Sequence, residues 1–298
     1  MIVRPALVAA ALVLGITAAR AESASADPET VSFPSNDADL TGGSPTTLRG
    51  LVYRPAGEGP FPAVVALPGC DGLFGSEGKV REHYDSWGRL LGDEGYLAFF
   101  VDSFGPRGVG RVCGMRESPA SPRRERARDA YGGLLYAQSR RDVRADRIGL
   151  LGWSHGGSST LWTIAESFSA RPAGLANGDF RAAVAFYPGC QFVGQEASWS
   201  TRIPSLVLVG EADNWTPAAP CIPLVERARA AGADVEMVLY PGAYHAFEAP
   251  NLPLRVIADV VLPNGISPTA GTNPEARAKA IERALTHFAR HLKDDAKR

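Results

Sequence analysis

The chain lacks an excess of charge: 31 Lys and Arg stand against 32 Asp and Glu, a formal net charge of −1. That balance argues against a global field of the kind that gathers nucleic acid or an anionic membrane. Histidine is also scarce, with five in 298 residues. The five are dispersed and no HExxH occurs, so a metalloenzyme reading is disfavoured and neither metal nor other cofactor is expected. Internal repeats and low-complexity linkers are missing too, so nothing divides the chain into separate domains. The apolar content of 45% and charged content of 21% are those of an ordinary globular protein able to bury a sizeable core.

The one long apolar run lies at the N-terminus. Arg4 provides a short positive region, residues 6–19 (ALVAAALVLGITAA) are apolar or small, and Ala19-Arg20-Ala21 gives a small-x-small pattern. Residues 1–21 therefore read as a signal peptide cut near Ala21, with an uncleaved anchor as the alternative. The run is shorter than the roughly 20 residues of a bilayer-spanning helix. A periplasmic or secreted location follows, with no membrane association after cleavage. Export bears on Cys70, Cys113, Cys190 and Cys221, because an oxidising compartment permits disulfides.

Beyond the signal, apolar strands alternate with helical stretches. Strands are expected near Val31–Phe33 and over Thr47–Tyr53, Ala63–Leu67, Tyr96–Val101, Arg147–Gly152, Ala182–Phe186, Ser205–Val209 and Val235–Leu239. Helices are expected over Glu82–Leu91, Arg123–Ser139, Ser158–Phe168, Leu224–Ala231 and Pro274–Leu292. Strands apolar on both faces, separated by helices, indicate a mostly parallel central sheet covered on both sides. Residues 22–298 thus form a single α/β domain. The basic stretch Arg123–Arg128 (RRERAR) contains an acid and lies on an expected helix, so it reads as a solvated face.

Gly152-Trp153-Ser154-His155-Gly156 matches G-x-S-x-G, with an expected strand before it and a helix after it. The serine of such an elbow sits in a sharp strand-to-helix turn, and the flanking glycines let the chain fold back on itself. Ser154 is therefore the candidate nucleophile. A serine hydroxyl is a weak nucleophile and needs a base oriented by an acid. In folds built on this elbow the acid and then the histidine follow the serine. His155 is too close in sequence to reach back, and His287 and His291 lie on the terminal helix. His245, in the turn-rich stretch after the last strand, is the candidate base. The acid should follow Ser205–Val209, where Gly210-Glu211-Ala212-Asp213 offers Asp213, deeper in the loop, with Glu211 as the alternative. Asp102 precedes the serine and is read as fixing loop structure. An acyl-transfer oxyanion needs two N–H donors: the backbone of His155, and one from the loop after Ala63–Leu67, with Cys70 first and Asp71 next.

The chain resembles the dienelactone hydrolase family of α/β-hydrolases, especially an exported, serine-bearing branch. The resemblance runs through Tyr53–Pro55, Leu67–Gly72, Asp102–Gly108, the elbow, Tyr187–Cys190, Gly210–Pro217 and Tyr240–Phe247. It implies an α/β-hydrolase fold and, independently, Ser154, Asp213 and His245. Two positions depart from the usual pattern: serine stands where the founding activity uses cysteine, and Pro68 stands where many hydrolases carry histidine. Only 16 residues separate Phe186 from Ile203, so no large cap domain is expected there, and an open site suited to a small-molecule ester or lactone follows. Another serine acyl-transfer enzyme, a peptidase or thioesterase, is the alternative, and a non-enzymatic binding protein on the same fold is a second.

Parallel neighbouring strands bring their following loops together. Cys70 and Cys113 follow two central strands, and Cys190 and Cys221 follow another adjacent pair. Cys70–Cys113 and Cys190–Cys221 are therefore the natural disulfides among three possible connectivities, with four free, buried thiols as the alternative.

Overall fold

Four of the chain's strands are almost wholly apolar and a fifth is so over its last six residues, and this decides the architecture. In the computed structural model, which describes residues 27–293 apart from Arg116 and Ala197, β3 (Phe61–Leu67), β4 (Leu97–Asp102), β5 (Val143–Trp153), β6 (Ala182–Phe186) and β7 (Ser205–Gly210) bury nearly every central residue. With β1 (Glu29–Pro34), β2 (Thr47–Tyr53) and β8 (Val235–Tyr240) they make one eight-stranded sheet in the order β1-β2-β4-β3-β5-β6-β7-β8. β1 and β2 pair antiparallel at one edge, and all pairs from β4 to β8 are parallel. Residues 1–21, expected from the sequence to be a signal peptide, lie outside the described residues. Among these no helix is long and apolar enough to cross a membrane.

Alternate side chains of each strand feed opposite cores. Ala63, Val65 and Leu67 of β3 pack with α2 (Glu125–Ser139), α3 (His155–Ile164) and α5 (Cys221–Ala230). Val64 and Ala66 face α1 (Glu82–Asp93) and α6 (Pro274–Phe288). α6 starts where Asn273 accepts a hydrogen bond from the Ala276 N–H and Pro274 occupies the first turn.

Register places Leu67 beside Gly152, Trp153 beside Phe186 and Gly210 beside Tyr240. The carboxyl ends of β3, β5, β6, β7 and β8 are therefore neighbours, and the loops leaving them converge on one rim. A short helix, α4 (Cys190–Val193), is the only helix between β6 and β7 among the described residues, so the large cap is absent at that point. A different segment covers the rim. Between β8 and α6 the chain makes an excursion over 246–273, stiffened by a two-stranded ribbon of β9 (Arg255–Val256) and β10 (Thr269–Ala270). It is clamped to the loops on both sides: Gly271 N–H donates to His245 O, and Thr269 N–H to Asn214 Oδ1.

Cys70 is joined to Cys113 and Cys190 to Cys221, closing segments of 43 and 31 residues. On the chain-entropy account such loops stabilise by about 3–4 kcal/mol each. The first ties the loop after β3 to the loop after β4, and the second ties α4 to the start of α5.

Candidate active site

Ser154 occupies the single residue between β5 and α3, with φ 53° and ψ −114°. A non-glycine residue adopts such a backbone only where its surroundings hold it there. They do: Ser154 N–H donates to Phe186 O at 2.9 Å, and Ser154 O accepts from Ser158 N–H at 2.8 Å. The glycines of the motif are steric requirements of this turn. A Cβ on Gly156 would overlap the Leu67 carbonyl, and one on Gly152 would overlap the Gly156 backbone. The elbow exists because α3 must cross the end of β3 at backbone contact.

His245, in the loop after β8, places Nε2 2.9 Å from Ser154 Oγ and Nδ1 2.8 Å from Asp213 Oδ2. All three side chains are buried. Asp213, in the loop after β7, is fixed from behind. Its Oδ1 accepts from the N–H groups of Trp215 and Thr216 at 2.8 and 2.9 Å, and Thr216 Oγ1 lies 3.0 Å from Oδ2. The imidazole is packed between Tyr187 and Trp215, with ring centroids at 4.5 and 4.8 Å. Glu211, the alternative acid, is exposed and contributes only its backbone N–H, which donates to Tyr240 O. Asp102 accepts from the N–H groups of Phe104 and Gly105 and pairs with Arg49, so it shapes a loop. A serine, an imidazole and a carboxylate in this order can pass the hydroxyl proton to Nε2 while the carboxylate holds Nδ1–H.

Two backbone N–H groups on segments flanking Ser154 are left without a partner among the described residues. His155 is the first residue of α3, so its N–H has no intrahelical acceptor. Among the described residues the Cys70 N–H has no protein acceptor either. The Cys70 loop is held by several ties. Tyr84 Oη accepts from Gly69 N–H at 2.8 Å and donates to Asp71 Oδ1 at 2.7 Å, Val112 N–H donates to Cys70 O, and the disulfide reaches Cys113. Burial and the Asp71 carboxylate keep the Tyr84 phenol protonated well above the ordinary range.

Sequence reasoning missed the residue that joins the two donor segments. Arg126 lies within the stretch read as a solvated face, yet it is 0% exposed, and Arg128 beside it is buried as well. Its guanidinium donates to Pro68 O at 2.7 Å and to His155 Nδ1 at 2.8 Å, and it stacks on Phe104. Among the described residues no carboxylate pairs with it. Burial drops its pKa to about 10. Burial first, and then this neighbouring cation, hold His155 well below the usual histidine range and therefore neutral, so Nδ1 is the acceptor. The available signal was spacing: Arg126 falls at helical period with the small residues Ala130, Gly133 and Ala137, the face that packs inward.

Arg126→Met should separate positioning from folding. It removes a desolvated charge and orphans two acceptors, opposing effects of a few kcal/mol, so the melting temperature should move little. Losing one oxyanion donor outright costs about 100–1000-fold in kcat. Loosening two should lower kcat on a short ester about 10–100-fold with KM nearly unchanged, as steady-state rates and thermal melts will show.

Ser154 stands where two clefts meet. The first, of about 730 Å³, is lined by His245, Arg81, His83, Arg111, Arg255 and Asp259, among others. The second, of about 1280 Å³, is lined by Val112, Met115, Trp162, Phe192, Val261 and Leu262, among others. Cys70, Cys113 and Trp215 line both and form the ridge between them.

Sheet order, elbow and the position of the site on the carboxyl rim define a hydrolase of the α/β-hydrolase fold. The chain belongs to the dienelactone hydrolase family, whose sequence profile matches residues 48–292. A relative from Methylorubrum extorquens, provisionally named a carboxymethylenebutenolidase, is 28% identical over 211 residues, covering 66% of this chain and 68% of the relative. A Klebsiella pneumoniae structure provisionally assigned as a dienelactone hydrolase superposes with a TM-score of 0.60 at 21% identity, over 89% of this chain and 99% of that one. A thermophilic esterase from Thermogutta terrifontis superposes with a TM-score of 0.60 at 17% identity, over 92% and 96%. At those identities the two structures speak to the fold alone.

Proposed function

We propose that the chain hydrolyses carboxylic esters, lactones included, through an acyl-enzyme on Ser154. The observation that supports this best is the continuous relay of 2.9 and 2.8 Å hydrogen bonds from Ser154 through His245 to Asp213, built on a strained elbow. Ser154 Oγ attacks the ester carbonyl carbon as His245 Nε2 takes its proton. The oxygen that becomes negative is held by the N–H groups of Cys70 and His155. Collapse breaks the bond to the alcohol oxygen, which takes the proton from His245 Nε2 as it leaves. Water then repeats the sequence, frees the acid and restores Ser154. Asp213 keeps Nδ1 protonated and stabilises the imidazolium. The butenolidase name of the Methylorubrum extorquens relative fits the same chemistry, since a butenolide is a lactone, an ester closed on itself. The working domain is 22–298, released by cleavage near Ala21 to the periplasm or the medium, where its two disulfides persist.

A fluorophosphonate probe followed by peptide mapping tests the assignment. The expected result is one adduct, on Ser154, and turnover of short p-nitrophenyl esters well ahead of thioesters and aminoacyl amides. Labelling at another residue, or preference for an amide, contradicts it.

A further inference from the structure

The two clefts at Ser154 differ in chemistry, and their difference assigns the two arms of an ester. In the first cleft the cations Arg81, Arg111 and Arg255 face the acids Asp71, Glu82 and Asp259, with Arg111 paired to Asp259 and Arg81 to Asp71. That lining is mixed: ion pairs balanced in sign stand beside Leu252, Val256 and Ile257, which suits a small hydroxylated group better than an anion. In the second cleft three large apolar side chains stand open at the mouth: Met115 at 48% exposure, Phe192 at 60% and Val261 at 66%. They come from three separate segments, the loop after β4, helix α4 and the excursion over 246–273. Exposed apolar side chains scattered singly are ordinary, but their convergence on one concave mouth marks a contact surface for an apolar ligand. Trp162 and Val112 continue that surface inward toward Ser154.

The proton path gives the clefts their direction. The leaving oxygen must receive its proton from His245 Nε2, and the His245 side chain lines the first cleft and not the second. The alcohol arm therefore leaves through the first cleft. The acyl arm, on the far side of the ridge, is assigned to the second, which His155 also lines. We infer that the preferred substrates are esters of an apolar acyl group, of medium chain length or aromatic, with a small hydroxylated alcohol. This rests on the serine-esterase reading above and specifies which half of the ester is recognised by which wall.

A reversed-ester pair tests the direction. Glyceryl hexanoate carries the apolar arm on the acyl side, and hexyl glycerate carries it on the alcohol side. Each buried methylene is worth on the order of fourfold in affinity, and part of this cleft is open to water. The hexanoate should therefore be preferred about tenfold or more in kcat/KM. The double variant Met115→Ser/Phe192→Ser should lower kcat/KM on glyceryl hexanoate about tenfold further than on glyceryl acetate, with its melting temperature unchanged within a few degrees. Both substituted side chains are exposed, so folding is not at stake. Equal rates on the two reversed esters, preference for hexyl glycerate, or an equal loss on hexanoate and acetate each overturn the assignment. If Ser154 takes the fluorophosphonate label while glyceryl hexanoate is not hydrolysed, the arm assignment fails and the esterase reading stands. Failure of the label at Ser154 removes both.

Discussion

Ser154→Ala should give a folded protein whose esterase kcat/KM is lower by at least about a thousandfold. The elbow asks two things of this residue, and only one is lost. Its backbone N–H to Phe186 O and its carbonyl to Ser158 N–H are main-chain bonds that alanine keeps. Alanine also meets the same steric demand at φ 53°, so the turn pays no new strain. The hydroxyl is different. On the proposed mechanism, without it His245 has no proton to take and no acyl-enzyme forms, leaving only the rate that the proposed Cys70 and His155 donors would supply to attack by water. Melting curves beside initial rates on a short p-nitrophenyl ester separate the two effects. A variant within about tenfold of the parent, stable and clean, would falsify the role given to Ser154.

Asp213→Asn should cost nearly as much, on the order of 1000–10,000-fold in kcat. The reason lies in which oxygen is already committed. Oδ1 accepts from two backbone N–H groups, so the asparagine amide must place its oxygen there and its NH2 where Oδ2 was. That NH2 faces His245 Nδ1 and donates to it. Nδ1 then becomes an acceptor, the ring proton moves to Nε2, and Nε2 presents a hydrogen to Ser154 Oγ instead of a lone pair. Geometry survives while the base is disarmed. Glu211→Gln, on an exposed side chain with no bond to His245, should stay within about twofold of the parent, as surface changes remote from the relay do. Parallel kinetics and melts on the two variants decide the matter, and the reverse ranking would transfer the acid role to Glu211.

Much of this arrangement is legible in the sequence because it rests on covalent order. β2 and β6 fall on the expected residues, since their apolar runs end at turn-forming residues. β3 to β7 are recognisable as buried for the same reason. Helix α3 is less so. It begins at His155, three residues before the expected start, because Gly156 and Gly157 are poor helix formers whose place is fixed by close approach to β3 and β6. Arg126 is hidden for a related reason. Its neighbours Arg123 and Arg124 are exposed, and composition alone does not say which arginine of a basic run turns inward. The excursion over 246–273 carries no period of either kind, since its only regular pieces are two strands of two residues. Its role as a wall of both clefts comes from the clamps at Asn214 and His245, which no local pattern announces. The donors proposed for the oxyanion are backbone atoms, so sequence can offer their loop but not their aim.

The scatter of the site along the chain bears on how the protein is made. Cys70, Ser154, Asp213 and His245 sit after β3, β5, β7 and β8, and the loop bearing His245 is completed only when Gly271 reaches back to it. No hairpin or single βαβ unit contains even the serine and its base. Each parallel pairing must close a long stretch of chain before it is rewarded, and sheets of this kind form slowly and late. A nascent or partly threaded polypeptide is therefore inert until nearly all of it has emerged and the eighth strand has docked. Hydrolytic turnover then serves as an assay of complete folding, and a chain truncated before residue 271 should be synthesised without ever acting on an ester, wherever in the cell it is made.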